Sequence, residues 1–221
     1  MSYNKKTRIT ASAIGVLLGL SGILNHGLFE ILQGYKPTNG FFIEAIGEAH
    51  RFWIHGTEAA FTVIHNYLVT GIFAVLTGLA IVIWSLKYLH QKNGPVVFLS
   101  LLILLTMVGG GIGYIILFIP TWAFATRINK PLDWWEKRFS LRFRRMLSSV
   151  WVYSLTATLI SWLTVMHLGI FGYFPGQENP DRVLNIIFLF LFTTVLLTVV
   201  TFMAAISADI EEVDLNKHTI F

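Results

Sequence analysis

Apolar residues dominate four stretches of the chain, 10–33, 57–86, 148–172 and 184–207, and charged residues collect in the segments between them. Each stretch supplies about twenty residues or more, the length a helix needs to cross a hydrocarbon core roughly 30 Å thick. The pattern predicts an all-α, polytopic transmembrane bundle with four full spans, forming one domain over residues 1–221.

A fifth apolar stretch, 96–126, is interrupted by Gly109, Gly110, Gly111 and Gly113 and then meets Pro120. Each half, at 1.5 Å rise per residue, covers about 20 Å, too little for two crossings. Two forms fit: a re-entrant hairpin with its glycine tip in the membrane, or a single kinked helix that would give five plain spans. Basic residues favour the hairpin. Turning back puts thirteen of the sixteen Lys and Arg on one side, whereas crossing once leaves ten against six. Irregular backbone at membrane depth must then be shielded by protein or face water.

The connectors carry their own signals. Phe42, Ile46, Ala49 and Trp53 alternate with Glu44, Glu48, Arg51 and His55 at helical spacing, so 41–55 reads as an amphipathic helix on the outer surface. Segment 127–147 mixes seven basic residues with Trp134, Trp135, Phe139 and Phe143, an interfacial anchor on the inner side. The last segment, 208–221, reads as an acidic tail. Lys5, Lys6 and Arg8 precede a first span too long for a signal-peptide core, which predicts an uncleaved helix, a multi-pass protein of the cell membrane and cytoplasmic termini.

Composition agrees: 55% of residues are hydrophobic and 13% charged, about half the charged share of a soluble domain, too few to build a wet surface. The net charge of +4 is accounted for by loops flanking spans, which removes nucleic acid as a partner and leaves the lipid bilayer. The absence of cysteine excludes disulfides, thiolate metal sites and cysteine nucleophiles. The glycine cluster lacks the Lys-Ser/Thr of a phosphate-binding loop, and no serine stands in a nucleophile elbow, so no catalytic residue is assigned.

What chemistry there is lies in the spans. Gly15, Gly19, Gly22, His26 and Glu30 advance by four, three, four and four, giving the first helix a small-residue packing face that ends in an imidazole and a carboxylate. His55, Glu58, Thr62 and His65 advance by three, four and three, one face of the second helix. His26 and His65 then lie at equal depth, with His167 shallower and Glu30, Glu58 and His55 nearer the outer surface. Ionisable groups inside a membrane face the bundle interior or water and mark ion or proton paths. The leading expectation is a carrier or channel for a proton, ion or small solute through this outer-half cluster. One alternative is a metal- or haem-binding oxidoreductase subunit with His26 and His65 as ligands. Another is a non-catalytic subunit of a membrane complex, or a homo-oligomer, assembled through the glycine face. His50, His90 and His218 fall in surface segments.

The runs His26-Gly-Leu-Phe-Glu-Ile-Leu-Gln-Gly34, Gly56-Thr-Glu-Ala-Ala-Phe-Thr-Val-Ile64 and Val108-Gly-Gly-Gly-Ile-Gly113 resemble those of a group of uncharacterised prokaryotic multi-pass membrane proteins. The resemblance covers most of the chain. It implies bacterial or archaeal membrane residence and carries no activity or site residue with it.

Overall fold

Four helices of the computed structural model are long and apolar enough to cross a membrane, among the residues it describes, 4–219, with side chains through Asp214. The side chain of His218 and the end of the 208–221 segment lie outside them. The first long helix comprises α1 (Lys5–Ser21), a π-helical segment (Gly22–Gly27) and α2 (Leu28–Leu32). It is followed by strands β1 (Phe42–Glu44) and β2 (Ala59–Phe61), α3 (Tyr67–Lys87), α4 (Gly94–Met107), α5 (Ile115–Ala125), α6 (Asp133–Arg138), α7 (Leu141–Phe171) and α8 (Pro180–Thr219). The end of the bundle carrying Lys5 is called basal here, the other apical.

The glycine-broken segment turns back. Phe98, early in α4, packs at Gly15, and Leu105, near its end, packs at Gly22, so α4 climbs alongside α1. Leu117 of α5 returns to the level of Ile14 and Leu18, and Asn4 then binds the carbonyls of Arg127 and Lys130. Asn129 closes the hairpin base by donating to the His90 carbonyl at 2.7 Å. At 14 and 11 residues the two helices are short, about 21 and 16 Å, so their junction stops inside the bundle. The kinked single crossing is thereby replaced by the hairpin.

Small residues set the closest approach. Gly19 meets the Gly78 backbone of α3, and Gly27 meets Gly71, leaving no room for a side chain at any of the four. The glycine face expected to mediate assembly with another subunit is therefore filled by this chain's own α3 and α4. The α7–α8 pair is joined differently, by hydroxyls: Thr158 to Thr201 at 2.9 Å and Ser161 to Thr194 at 2.7 Å. At the basal end, Asp209 of α8 accepts from the Lys6 and Thr7 amides and the Thr7 hydroxyl, capping α1 from another helix. Outward, α3 exposes Ile72, Phe73, Leu76, Leu79 and Ile83, and α8 exposes Phe188, Leu189, Phe192 and Leu196. Apolar surface of that extent is suited to lipid.

Several expected boundaries move. Residues 41–55 do not form an amphipathic helix: β1 pairs antiparallel with β2, and a short 3-10 turn covers Glu48–His50. Burial there follows a period of two, with Ile43 buried between exposed Phe42 and Glu44, the alternation of a strand with one covered face. The second span starts at Tyr67, capped by Asn66 accepting from the Val69 amide, ten residues later than the expected 57. Segment 127–147 splits into α6 and the first turns of α7. The acidic 208–221 segment, as far as described, is the end of α8, where Glu211, Glu212 and Asp214 reach Lys6, Arg144 and Arg145.

Candidate functional site

Asn25 and His26 stand side by side in the apolar part of the first long helix, and the helix changes form there. The π-helical segment Gly22–Gly27 contains both, an irregularity common at functional sites. It widens one turn, so two successive polar side chains share the inner side, and both are 1% exposed. Four residues beyond, Glu30 is fully buried.

Two irregular segments close over these groups. The backbone of 59–63 lies along the hairpin tip: Val63 donates to Met107, Gly109 to Phe61 and Ile112 to Ala59, with Thr62 bridged to Val108. Much of the tip's polar backbone is thus paired with protein, as membrane depth favours. Thr62 and Thr70 share a 2.6 Å hydroxyl hydrogen bond, and Thr70 donates to the Val108 carbonyl at 2.8 Å. Glycine is needed at the tip for close approach. Gly109 (φ +101°) lies under the Glu30 carboxylate and Gly111 (φ +90°) under the His26 ring, and a Cβ would fall 2.5 Å from Glu30 Oε1 or His26 Nε2. Gly110 packs on Leu105, and Gly113 faces open space.

Strand β2 begins immediately after Glu58, the one non-glycine residue with positive φ (+48°) among the described residues. That conformation turns its side chain into the bundle, where Oε2 stands 3.9 Å from His26 Nε2. Gly169 of α7 leaves space for the carboxylate, and Asn25 hydrogen-bonds to it. Tyr114 packs edge-on against His26, centroids 5.2 Å apart, and against Trp162 at 5.4 Å. Trp162 is held by donating Nε1–H to the Ser21 hydroxyl at 2.9 Å. Both ring nitrogens of His26 and both carboxylate oxygens of Glu30 are buried without a hydrogen-bond partner, as are Asn25 Oδ1 and the Tyr114 hydroxyl. A cavity of about 110 Å³ adjoins Glu58, Asn25, Tyr114 and Trp162.

Of the expected cluster, His26, Glu30 and Glu58 reach this interior and three residues do not. His55 lies at the apical surface, 2.9 Å from Asp181 Oδ1, tying the β1–β2 cap to the start of α8. His65 is not on a helix: it precedes α3, exposed against the Phe41 ring. His167 is on α7 but faces outward beside Phe171. The expected His26–His65 ligand pair is therefore not assembled, and no group of three His, Asp or Glu among the described residues is placed to hold a metal ion. Asn25, Tyr114 and Trp162 were not singled out from sequence. Asn25 carried a signal, an amide in mid-span beside His26.

Burial pushes the Glu58 carboxyl up to about 7 although a quarter of the side chain stays open, and the Asn25 hydrogen bond partly opposes this. The folded state then holds the Glu58 proton more tightly than the unfolded chain. Its contribution to stability is full below about pH 4.5, falls as pH rises, and is lost above about 7. Glu58→Gln is expected to flatten melting temperature against pH across that window in detergent. An unchanged slope would place the titration elsewhere.

Comparison with protein families, curated proteins and solved structures gives no match.

Proposed function

We propose that the protein is a membrane carrier that moves protons through the buried group formed by His26, Glu30 and Glu58. The observation that carries this reading is the set of unpartnered nitrogens and oxygens on His26 and Glu30, buried against the tip of a broken helical hairpin. Buried polar groups are nearly always hydrogen-bonded, and ionisable ones inside a membrane are costly, so their retention together supports a working site. Broken helices meeting at mid-membrane are a recurrent setting for transported ions. Glu58, near neutrality and a quarter open, is suited to exchange a proton with His26 across 3.9 Å.

Approach from the apical side is supported by an open cleft of about 690 Å³ lined by Gln33, Lys36, Glu44, Glu48 and Tyr67. Tyr67 lies within electrostatic reach of both Glu44 and Glu30. With the basic connectors gathered at the basal end, that end is the cytoplasmic one in this reading and the buried group lies in the outer half of the bilayer.

The test is proton uptake into proteoliposomes containing a pH-sensitive dye, driven by a potassium diffusion potential. Uptake above that of protein-free vesicles is expected. The variants His26→Ala and Glu30→Gln should slow it on the order of a hundredfold, the scale of a lost proton-transfer group. Uptake equal to protein-free vesicles, or unaltered in both variants, would sink the proposal.

A further inference from the structure

We infer that the cavity between the hairpin tip, α7 and α8 binds a small alkylammonium cation, held by Glu58 and Asn25 at its head and by Trp162 and Tyr114 around its carbon atoms. The walls divide by chemistry. Glu58 brings a carboxylate, and Asn25, 1% exposed, brings an amide oxygen with no hydrogen-bond partner. An ammonium group has N–H donors and no acceptor, so it matches a wall made of acceptors. A carboxylic acid or phosphate would meet Glu58 with like charge.

Aromatic rings also line the cavity. Tyr114 and Trp162 pack edge-to-face, and Trp162 is fixed by its bond to Ser21, so neither ring has to be ordered when a ligand enters. Rings of this kind attract organic cations through their electron-rich faces, most strongly where water is excluded. A strongly hydrated sodium or potassium ion gains nothing from Ile187 and Leu191 at the rim, whereas an alkyl group does. The volume, about 110 Å³, compares with about 30 Å³ for each water in the liquid, which limits the ligand to a few heavy atoms such as ethylammonium. The inference rests on the carrier reading for the consequence that the cation is moved, and not for its binding.

Equilibrium binding of radiolabelled ethylammonium to the purified full chain in nanodiscs, with no gradient imposed, tests this. Saturable binding of one ligand per chain is expected, displaced by methylammonium and not by equimolar sodium, potassium or ethanol. Trp162→Leu should weaken binding about tenfold or more, Trp162→Phe less, and Glu58→Gln at least as much as the leucine variant. Melting curves identify variants that fail to fold, and the competition series on the native protein decides the matter without them. Absence of saturable binding, displacement by potassium as effective as by methylammonium, or native affinity in folded Trp162→Leu and Glu58→Gln each overturn the inference. Binding that persists where proteoliposomes show no proton flux would leave the site standing and remove the carrier.

Discussion

Replacing Gly111 by valine is expected to cost about 2–6 kcal/mol of stability, enough to lower accumulation of the folded protein in membranes. Two separate penalties meet there. A β-branched residue at φ +90° carries backbone strain of about 1–3 kcal/mol, and its Cβ would fall 2.5 Å from His26 Nε2 and 3.0 Å from Tyr114 Cε2. Forcing those rings aside in a packed interior adds about 1–3 kcal/mol. Gly34 separates the two effects, because it also has positive φ (+81°) but nothing within 4 Å of a Cβ. Gly34→Ala should cost about 1 kcal/mol and leave the interior intact. Chemical unfolding in a single detergent, with yield as a second readout, makes the comparison. Equal losses at the two positions would mean that strain alone decides, and that the approach of tip to His26 is unimportant.

At the basal end the expected loss is electrostatic. Arg144 is 6% exposed and lies 3.5–3.8 Å from Glu136, Glu211 and Asp214, joining α6, α7 and α8. Arg144→Met keeps the aliphatic stem and deletes the charge, leaving Glu211, whose side chain is 15% exposed, facing Arg145 alone among those cations. Removing one partner of a fully buried ion pair costs about 3–5 kcal/mol. Glu136 is half exposed and recovers hydration, so roughly 2 kcal/mol is expected. A melting temperature unchanged from native at neutral pH would show that the cluster contributes nothing to the basal junction.

The long helices were legible because lipid imposes a simple rule on them: about twenty apolar residues with their charges at the ends. The hairpin was legible too, from the count of basic residues and the shortness of each half. What escaped was long-range pairing. Residues 57–66 are apolar enough to continue α3 upstream, and nothing within them announces that their backbone partners lie at 107–112. Glu58 thus reached His26 by a different route from the one its spacing implied, through a strand and a left-handed residue instead of a helical face. His65, which rested on the same spacing, went to the surface. His167 failed for another reason: α7 is apolar nearly all round in its upper half, so sequence gives its rotational phase poorly, and Met166 and Gly169 face inward instead. Asn25 showed in the sequence only as an amide in mid-span, since successive residues on an α-helix diverge and the π-helical turn that sets it on the same side as His26 is not written in the spacing.

The bonds between 59–63 and the hairpin tip make the two irregular segments a single stopper. Drawing the apical cap away by itself would strip partners from Val63, Gly109 and Ile112 amides in a region that offers no water to replace them. A motion that parts the tip from His26 and Glu30 with these bonds intact carries cap and tip together. Glu58 and the two glycines would then leave His26 and Glu30 in one stroke.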